Sequence, residues 1–130
     1  MDDQNGGKIL FRKECYAIQG AIYEVYRMLG RGFLEAVYQE ALEIELHRRE
    51  IPFVAQQEMR VLYKGEQLKH RYIADLVCYD CVLLELKAVE KLVPAFEAQV
   101  LNYLNISQIR VGLLVNFGHF PSVEIRRLVK

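Results

Sequence analysis

The sequence is short of cysteine, of long apolar runs and of net charge. Three cysteines in 130 residues are too few, and of the wrong parity, for a disulfide framework, so a reducing cytoplasm is the expected setting. No uncharged apolar run approaches the roughly 18–20 residues that a membrane span needs. The start, Met1-Asp2-Asp3-Gln4-Asn5-Gly6-Gly7, is acidic and polar rather than leader-like. No membrane partner is expected. Lys plus Arg is 17 and Asp plus Glu is 17, which removes any general attraction to polyanions. Only residues 91–130 are locally basic, with five basic and two acidic side chains, short of the basic stripe of an obligate DNA-binding domain. There is no internal repeat, low-complexity tract or linker, and apolar content is an ordinary 52%. One continuous domain over residues 1–130 is expected, large enough to bury a core without metal or disulfide staples.

The hydrophobic period divides the chain. Cys15, Ile18, Ile22, Val25 and Leu29 recur at spacings of three and four, on one side of a helix that Gly30 ends. Leu34, Tyr38, Leu42 and Leu46 form the stripe of a second helix, 34–49, closed by Pro52. Beyond it the pattern becomes extended. Strands are expected at 54–63, ended by the turn Lys64-Gly65, then at 71–79 and at 82–89, with Asp80 at a tight connection. Pro94 suits the first turn of a helix to about residue 104. Residues 111–117 read as a buried strand, and 123–129 as an edge strand or a short helix. The order αα-βββ-α-β predicts an α/β domain whose central mixed sheet is flanked by helices.

Some residues are poorly explained by a core. In Cys81-Val82-Leu83-Leu84-Glu85-Leu86-Lys87 the neighbours demand a central strand, yet Glu85 and Lys87 share one of its faces with Leu83. Removing such groups from water costs several kcal/mol each unless they are partnered. An ion pair at a sheet edge is the bland account. The preceding strand carries Asp75, also among apolar residues, although aspartate is a poor strand former. A hairpin around Asp80 brings Asp75 opposite the Glu85 region. At about 5 Å and an effective dielectric of ~20, two carboxylates repel by roughly 3 kcal/mol, which a divalent cation or a shared proton relieves. Two carboxylates, a backbone carbonyl and waters make the oxygen-rich shell that Mg²⁺ prefers. A strand-end cap is the ordinary role for Asp75. Glu35 opens the second helix, where the macrodipole alone favours an acid. Gln99 and Tyr103, four apart, point the same way from the helix that follows Glu85.

Together these residues resemble the PD-(D/E)XK nuclease superfamily and its small GxxExxY family. The matching elements are Gly32-x-x-Glu35-x-x-Tyr38, Asp75, Glu85-x-Lys87 and Gln99-x-x-x-Tyr103, in that order and covering about residues 18–117. One departure is Ala74, where proline or glycine precedes the aspartate in the pattern. The resemblance implies a restriction-endonuclease-like core and metal-assisted hydrolysis of phosphodiesters, with DNA as substrate and 5′-phosphate and 3′-hydroxyl ends as products. It implies that Asp75, Glu85 and the Leu86 carbonyl hold Mg²⁺, with Mn²⁺ as a substitute. Lys87 would position or deprotonate the attacking water. Glu35 would extend the metal shell, and Gln99 and Tyr103 would orient Lys87 or contact the substrate backbone. The alternative is a catalytically silent module of the same fold that binds nucleic acid or protein; homodimerisation stays open.

Other signals are weaker. Cys78-x-x-Cys81 has no second ligand pair for zinc, and its cysteines flank a turn where small residues are ordinary. His47, His70 and His119 stand at no diagnostic spacing, and the short basic groups Arg48-Arg49, Lys69-His70-Arg71 and Arg126-Arg127 read as solvated faces.

Overall fold

The computed structural model describes residues 4–5 and 8–130; Met1–Asp3, Gly6 and Gly7, part of the polar start read above as no leader, lie outside them. Two very short strands, β1 (Gln4–Asn5) and β2 (Lys8–Ile9), pair with each other ahead of helix α1 (Arg12–Leu29). Helix α2 (Glu35–Arg48) follows, then strands β3 (Phe53–Tyr63), β4 (Glu66–Cys78) and β5 (Val82–Lys87). Helix α3 (Pro94–Ser107), β6 (Val111–Asn116) and β7 (Glu124–Val129) complete the chain. The five long strands form one sheet in the order β3-β4-β5-β6-β7. All neighbours are antiparallel except β5 and β6, which run parallel and are joined through α3. This is a mixed α/β sheet flanked by helices, in the expected element order apart from β1 and β2, which no sequence period announces.

Strand alternation sorts the core into two layers. Leu84 and Leu86 of β5 and Leu113 and Val115 of β6 pack with Ile18, Ile22 and Val25 of α1 and Leu42 and Leu46 of α2. Leu83 and Leu114, on the opposite face, pack with Val100 and Leu104 of α3. Because helices cover both faces, β5 and β6 are apolar almost throughout, as strands buried on two sides must be. Among the described residues no helix is long and apolar enough to cross a membrane.

Several sequence expectations need correction. β4 begins at Glu66 rather than near residue 71. The turn at Lys64 and Gly65, both with positive φ (49° and 83°), pairs Tyr63 with Glu66, so the ladder starts at the turn itself. Its first eight residues are exposed on both faces, so no alternation marks them as strand. Leu34 is not part of the α2 stripe: its backbone is extended (φ −67°, ψ 152°), it precedes the helix, and it is 78% exposed. α3 runs on to Ser107, and β5 stops at Lys87. The ambiguous C-terminal segment is an edge strand, paired antiparallel with β6 from Asn116↔Glu124 to Val111↔Val129.

Gly112 of β6 marks how closely α3 lies on the sheet. A Cβ there would sit 2.7 Å from Val100 Cγ1. Val100 is fully buried and stiff about its first torsion, so it has little room to yield. Gly112→Ala is therefore expected to destabilise the fold by about 1–3 kcal/mol through overpacking. In chemical unfolding the double variant Gly112→Ala/Val100→Ala should be more stable than the sum of the two single losses allows, showing that the sites are coupled.

Candidate active site

The site is built where β4 and β5 part. Their ladder runs through Cys78↔Val82, Val77↔Leu83 and Leu76↔Leu84 and then stops. One step further, side chains replace backbone partners. The Asp75 N–H donates to Glu85 Oε1 at 3.1 Å, and the Leu86 N–H donates to Asp75 Oδ2 at 2.8 Å. Each carboxylate thus satisfies an amide that the opening of the strands would otherwise orphan. β5 continues alone with β6 as far as Lys87↔Asn116.

Burial and repulsion set the electrostatics. Glu85 is only 4% exposed; desolvation, followed by the charge of Asp75, pushes its carboxyl up to about 8. Desolvation likewise raises Asp75, against the pull of the Leu86 N–H and of Lys87. Glu35, at the first turn of α2, is raised by burial and then by Asp75, with Lys87 opposing. Three acids therefore share one field with one ammonium. Among the described residues, no group of three or more His, Cys, Asp and Glu side chains is gathered so that it could hold a metal ion. A metal shell here therefore needs backbone oxygen and water besides the two strand carboxylates. The Leu86 carbonyl fits that need, because a strand residue's N–H and C=O point to the same side and the Leu86 N–H meets Asp75.

Lys87 is not in the edge ion pair considered above. β5 is the middle strand, and among the described residues the Lys87 ammonium belongs to no ion pair. Its Nζ donates to Gln99 Oε1 at 3.2 Å and lies 4.4 Å from the centre of the Phe96 ring. Gln99 Nε2 in turn donates to the Tyr103 hydroxyl at 3.0 Å. The Tyr103 phenol is raised by burial first and then by Glu85. Glu35, Asp75, Glu85, Lys87, Gln99 and Tyr103 are thus brought to one region by α2, β4, β5 and α3.

The motif around Glu35 has a structural basis. Gly32 takes φ 111°, where side chains are strained. The buried Tyr38 hydroxyl donates to the Gly30 carbonyl at 2.6 Å and accepts from the Phe33 N–H at 3.2 Å. Its ring stacks on Phe117, with centroids 4.5 Å apart and planes 3° from parallel. The tyrosine fixes the loop that delivers Glu35.

Sequence reasoning missed three neighbours. Gln39 Nε2 donates to the Asp75 carbonyl at 3.0 Å, and its place four residues after Glu35 was a usable signal. Phe96, three residues before Gln99, was a similar one. Asn116 gave none. Its Oδ1 accepts from the N–H groups of Val89 and Gly118, both at 3.0 Å, and its buried Nδ2 has no hydrogen-bond partner among the described residues. The Cys78-x-x-Cys81 pair lies at the other end of β5; burial raises the thiols to about 12 and about 11, far from thiolate chemistry at neutral pH.

The model of the PD-(D/E)XK nuclease superfamily matches residues 12–128. The chain belongs to the PD-(D/E)XK nuclease superfamily. No curated protein matches the chain. Its fold is similar to the crystal structure of SSO0001, with a TM-score of 0.57 and 18% identity. The match covers 73% of this chain and 49% of that one, so the chain spans about half the length of that structure. That likeness bears on the fold alone.

The raised Glu85 carboxyl has a thermodynamic signature. Between its unfolded value near 4.5 and its folded value of about 8, the folded state binds more protons than the unfolded one. Stability contributed by the proton is complete below pH 4.5 and lost as the pH rises through 8, opposite to an ordinary carboxylate. In metal-free buffer, unfolding free energy should fall between pH 5 and 8 by up to about 1.4 kcal/mol per unit from this group. Glu85→Gln keeps the Oε1 acceptor and should flatten that slope in denaturant titrations.

Proposed function

We propose that the protein is a Mg²⁺-dependent nuclease of the GxxExxY kind that hydrolyses DNA phosphodiesters to 5′-phosphate and 3′-hydroxyl ends. The observation that carries this reading is the parting of β4 and β5, which leaves Asp75 and Glu85 interlocked beside an ammonium that belongs to no ion pair among the described residues. Asp75, Glu85 and the Leu86 carbonyl would hold the ion, with Mn²⁺ as a substitute, and Glu35 would extend its shell through water. Bound there, the ion would acidify a water and offset charge on the phosphate.

The chain's own residues account for the rest. Asp75 and Glu85 each spend one oxygen on the opposite strand's N–H, which fixes both carboxylates before any ligand arrives. Lys87 is held by Gln99 and the Phe96 face, so its Nζ can orient a water or donate to a phosphate oxygen. Tyr103 fixes the Gln99 amide through its hydroxyl oxygen and so acts through Gln99.

A second reading, a catalytically silent module of the same fold, is favoured by one feature. The cleft beside Asp75 is walled by Glu35, Glu40 and Glu43, which repel a polyanion. The two readings separate in a cleavage assay on supercoiled plasmid and single-stranded oligonucleotide with Mg²⁺ or Mn²⁺. The nuclease reading expects cleavage, with Lys87→Ala slower by about 10²–10⁴-fold, the range for a positioned acid–base or electrostatic group. Because Lys87 is in no ion pair among the described residues, its removal should leave unfolding free energy within about 1 kcal/mol of wild type. No cleavage by the wild type on any substrate, with a large stability loss in Lys87→Ala, would leave the silent module.

A further inference from the structure

On the α3 side of the Lys87 region lies a cavity that the reaction chemistry does not use. It measures about 470 Å³ and lies between β3, β4 and α3, with Tyr72, Ala98, Gln99, Asn102 and Tyr103 among its lining residues. None of the residues lining it carries a formal charge. The contrast with the cleft on the α2 side, which holds Glu35, Glu40, Glu43 and Asp75, is complete. A phosphate has no ionic partner in the α3 cavity, whereas a flat, neutral, hydrogen-bonding ring has both a surface and amides to meet.

The surface is aromatic. Tyr72 is 40% exposed, and its ring centre lies 5.8 Å from that of Tyr103, with the planes 54° apart. Two residues back along β4, the His70 ring lies 6.1 Å from Tyr72. Three rings thus lead from the exposed part of the β3–β4 hairpin to the site. Gln99 is the partition: its Oε1 accepts from Lys87, and its Nε2 donates to Tyr103 on the cavity wall. Whatever fills the cavity is therefore an immediate neighbour of the group that Lys87 contacts.

We propose that this cavity takes an unpaired base of single-stranded DNA, stacked on Tyr72, next to the phosphate that Lys87 engages. The proposal rests on the nuclease reading above and adds the strandedness of the substrate. Stacking on aromatic rings is how single strands are held without sequence readout, because every base has a π-face. A base within a duplex already has both faces stacked and cannot enter. The backbone then runs toward the hairpin, where Arg60, Lys64, Lys69 and Arg71 outnumber Glu58 and Glu66, and away from the acidic α2 cleft.

The test is binding measured apart from cleavage. Fluorescence anisotropy in EDTA compares a labelled single-stranded DNA oligonucleotide, the same sequence as a duplex, and its RNA counterpart. Wild type should bind the single strand at least about tenfold tighter than the duplex. Tyr72→Ala should weaken single-strand binding by about 5- to 150-fold, the cost of one stacked base, and leave duplex binding unchanged. Tyr72→Phe should restore it. Ala98→Leu, on an exposed helical position, adds bulk to the cavity while leaving both tyrosines in the sequence, should reproduce the loss, and serves if Tyr72→Ala does not fold. Equal affinity for single strand and duplex, or wild-type affinity in Ala98→Leu, would overturn the proposal. Tyr72-dependent binding tighter for RNA than for DNA would overturn the assignment to DNA. Cleavage with no dependence on Tyr72 or Ala98 would leave the nuclease reading standing and this one fallen; Tyr72-dependent binding with no cleavage would do the reverse.

Discussion

The structure depends on one exchange of hydrogen bonds. Where β4 and β5 separate, the Asp75 carboxylate takes the Leu86 N–H and the Glu85 carboxylate takes the Asp75 N–H. A sheet cannot open in its middle without stranding buried amides, and leaving such groups unsatisfied costs about 1–3 kcal/mol each. Here the opening is closed off by the two acidic groups to which the proposed reaction assigns the metal ion. On that proposal, fold and chemistry use the same atoms. The cost appears as mutual repulsion and desolvation, which burial on the central strand intensifies, and it is visible as the raised carboxyls of Glu35, Asp75 and Glu85.

The two sides of that opening differ in character. α2 brings carboxylates and the Gln39 amide, which grips the Asp75 carbonyl. α3 brings an aromatic ring beneath Lys87, an amide, and a phenol. Because α3 is the crossover between the parallel strands β5 and β6, its position is tied to the sheet by Gly112, where the absence of a side chain lets Val100 approach. The ammonium is thus positioned by packing and hydrogen bonding rather than by an opposing charge, which leaves its charge available to a ligand.

Much of this was legible in the sequence, for identifiable reasons. The change from a helical to an extended period at Pro52 gave the element order, because nearly every element buries a defined face. The candidate site residues stand out because Asp75, Glu85 and Lys87 interrupt strands whose neighbours are apolar. What escaped notice was whatever looks ordinary for its element. The first part of β4 shows no alternation because neither of its faces is buried. Leu34 continues the spacing of the α2 stripe, yet the backbone enters the helix only after it. Gln39 and Phe96 are unremarkable helical residues until tertiary packing supplies their partners. Asn116 owes its role to the bends after β5 and β6, whose N–H groups converge on its oxygen.

The Tyr38 ring carries a consequence for how the chain can vary. Surface connections between helices ordinarily accept added or deleted residues with little penalty. The one between α1 and α2 is measured at both ends by a single phenol, whose oxygen meets Gly30 and Phe33 while its ring lies flat on Phe117 at the end of β6. Its length is therefore fixed by the size of a side chain rather than by the slack of a loop. A residue inserted between Gly30 and Tyr38 would have to pull the ring off Phe117 or let go of the backbone, and Glu35 would travel with it. The segment behaves as a ruler.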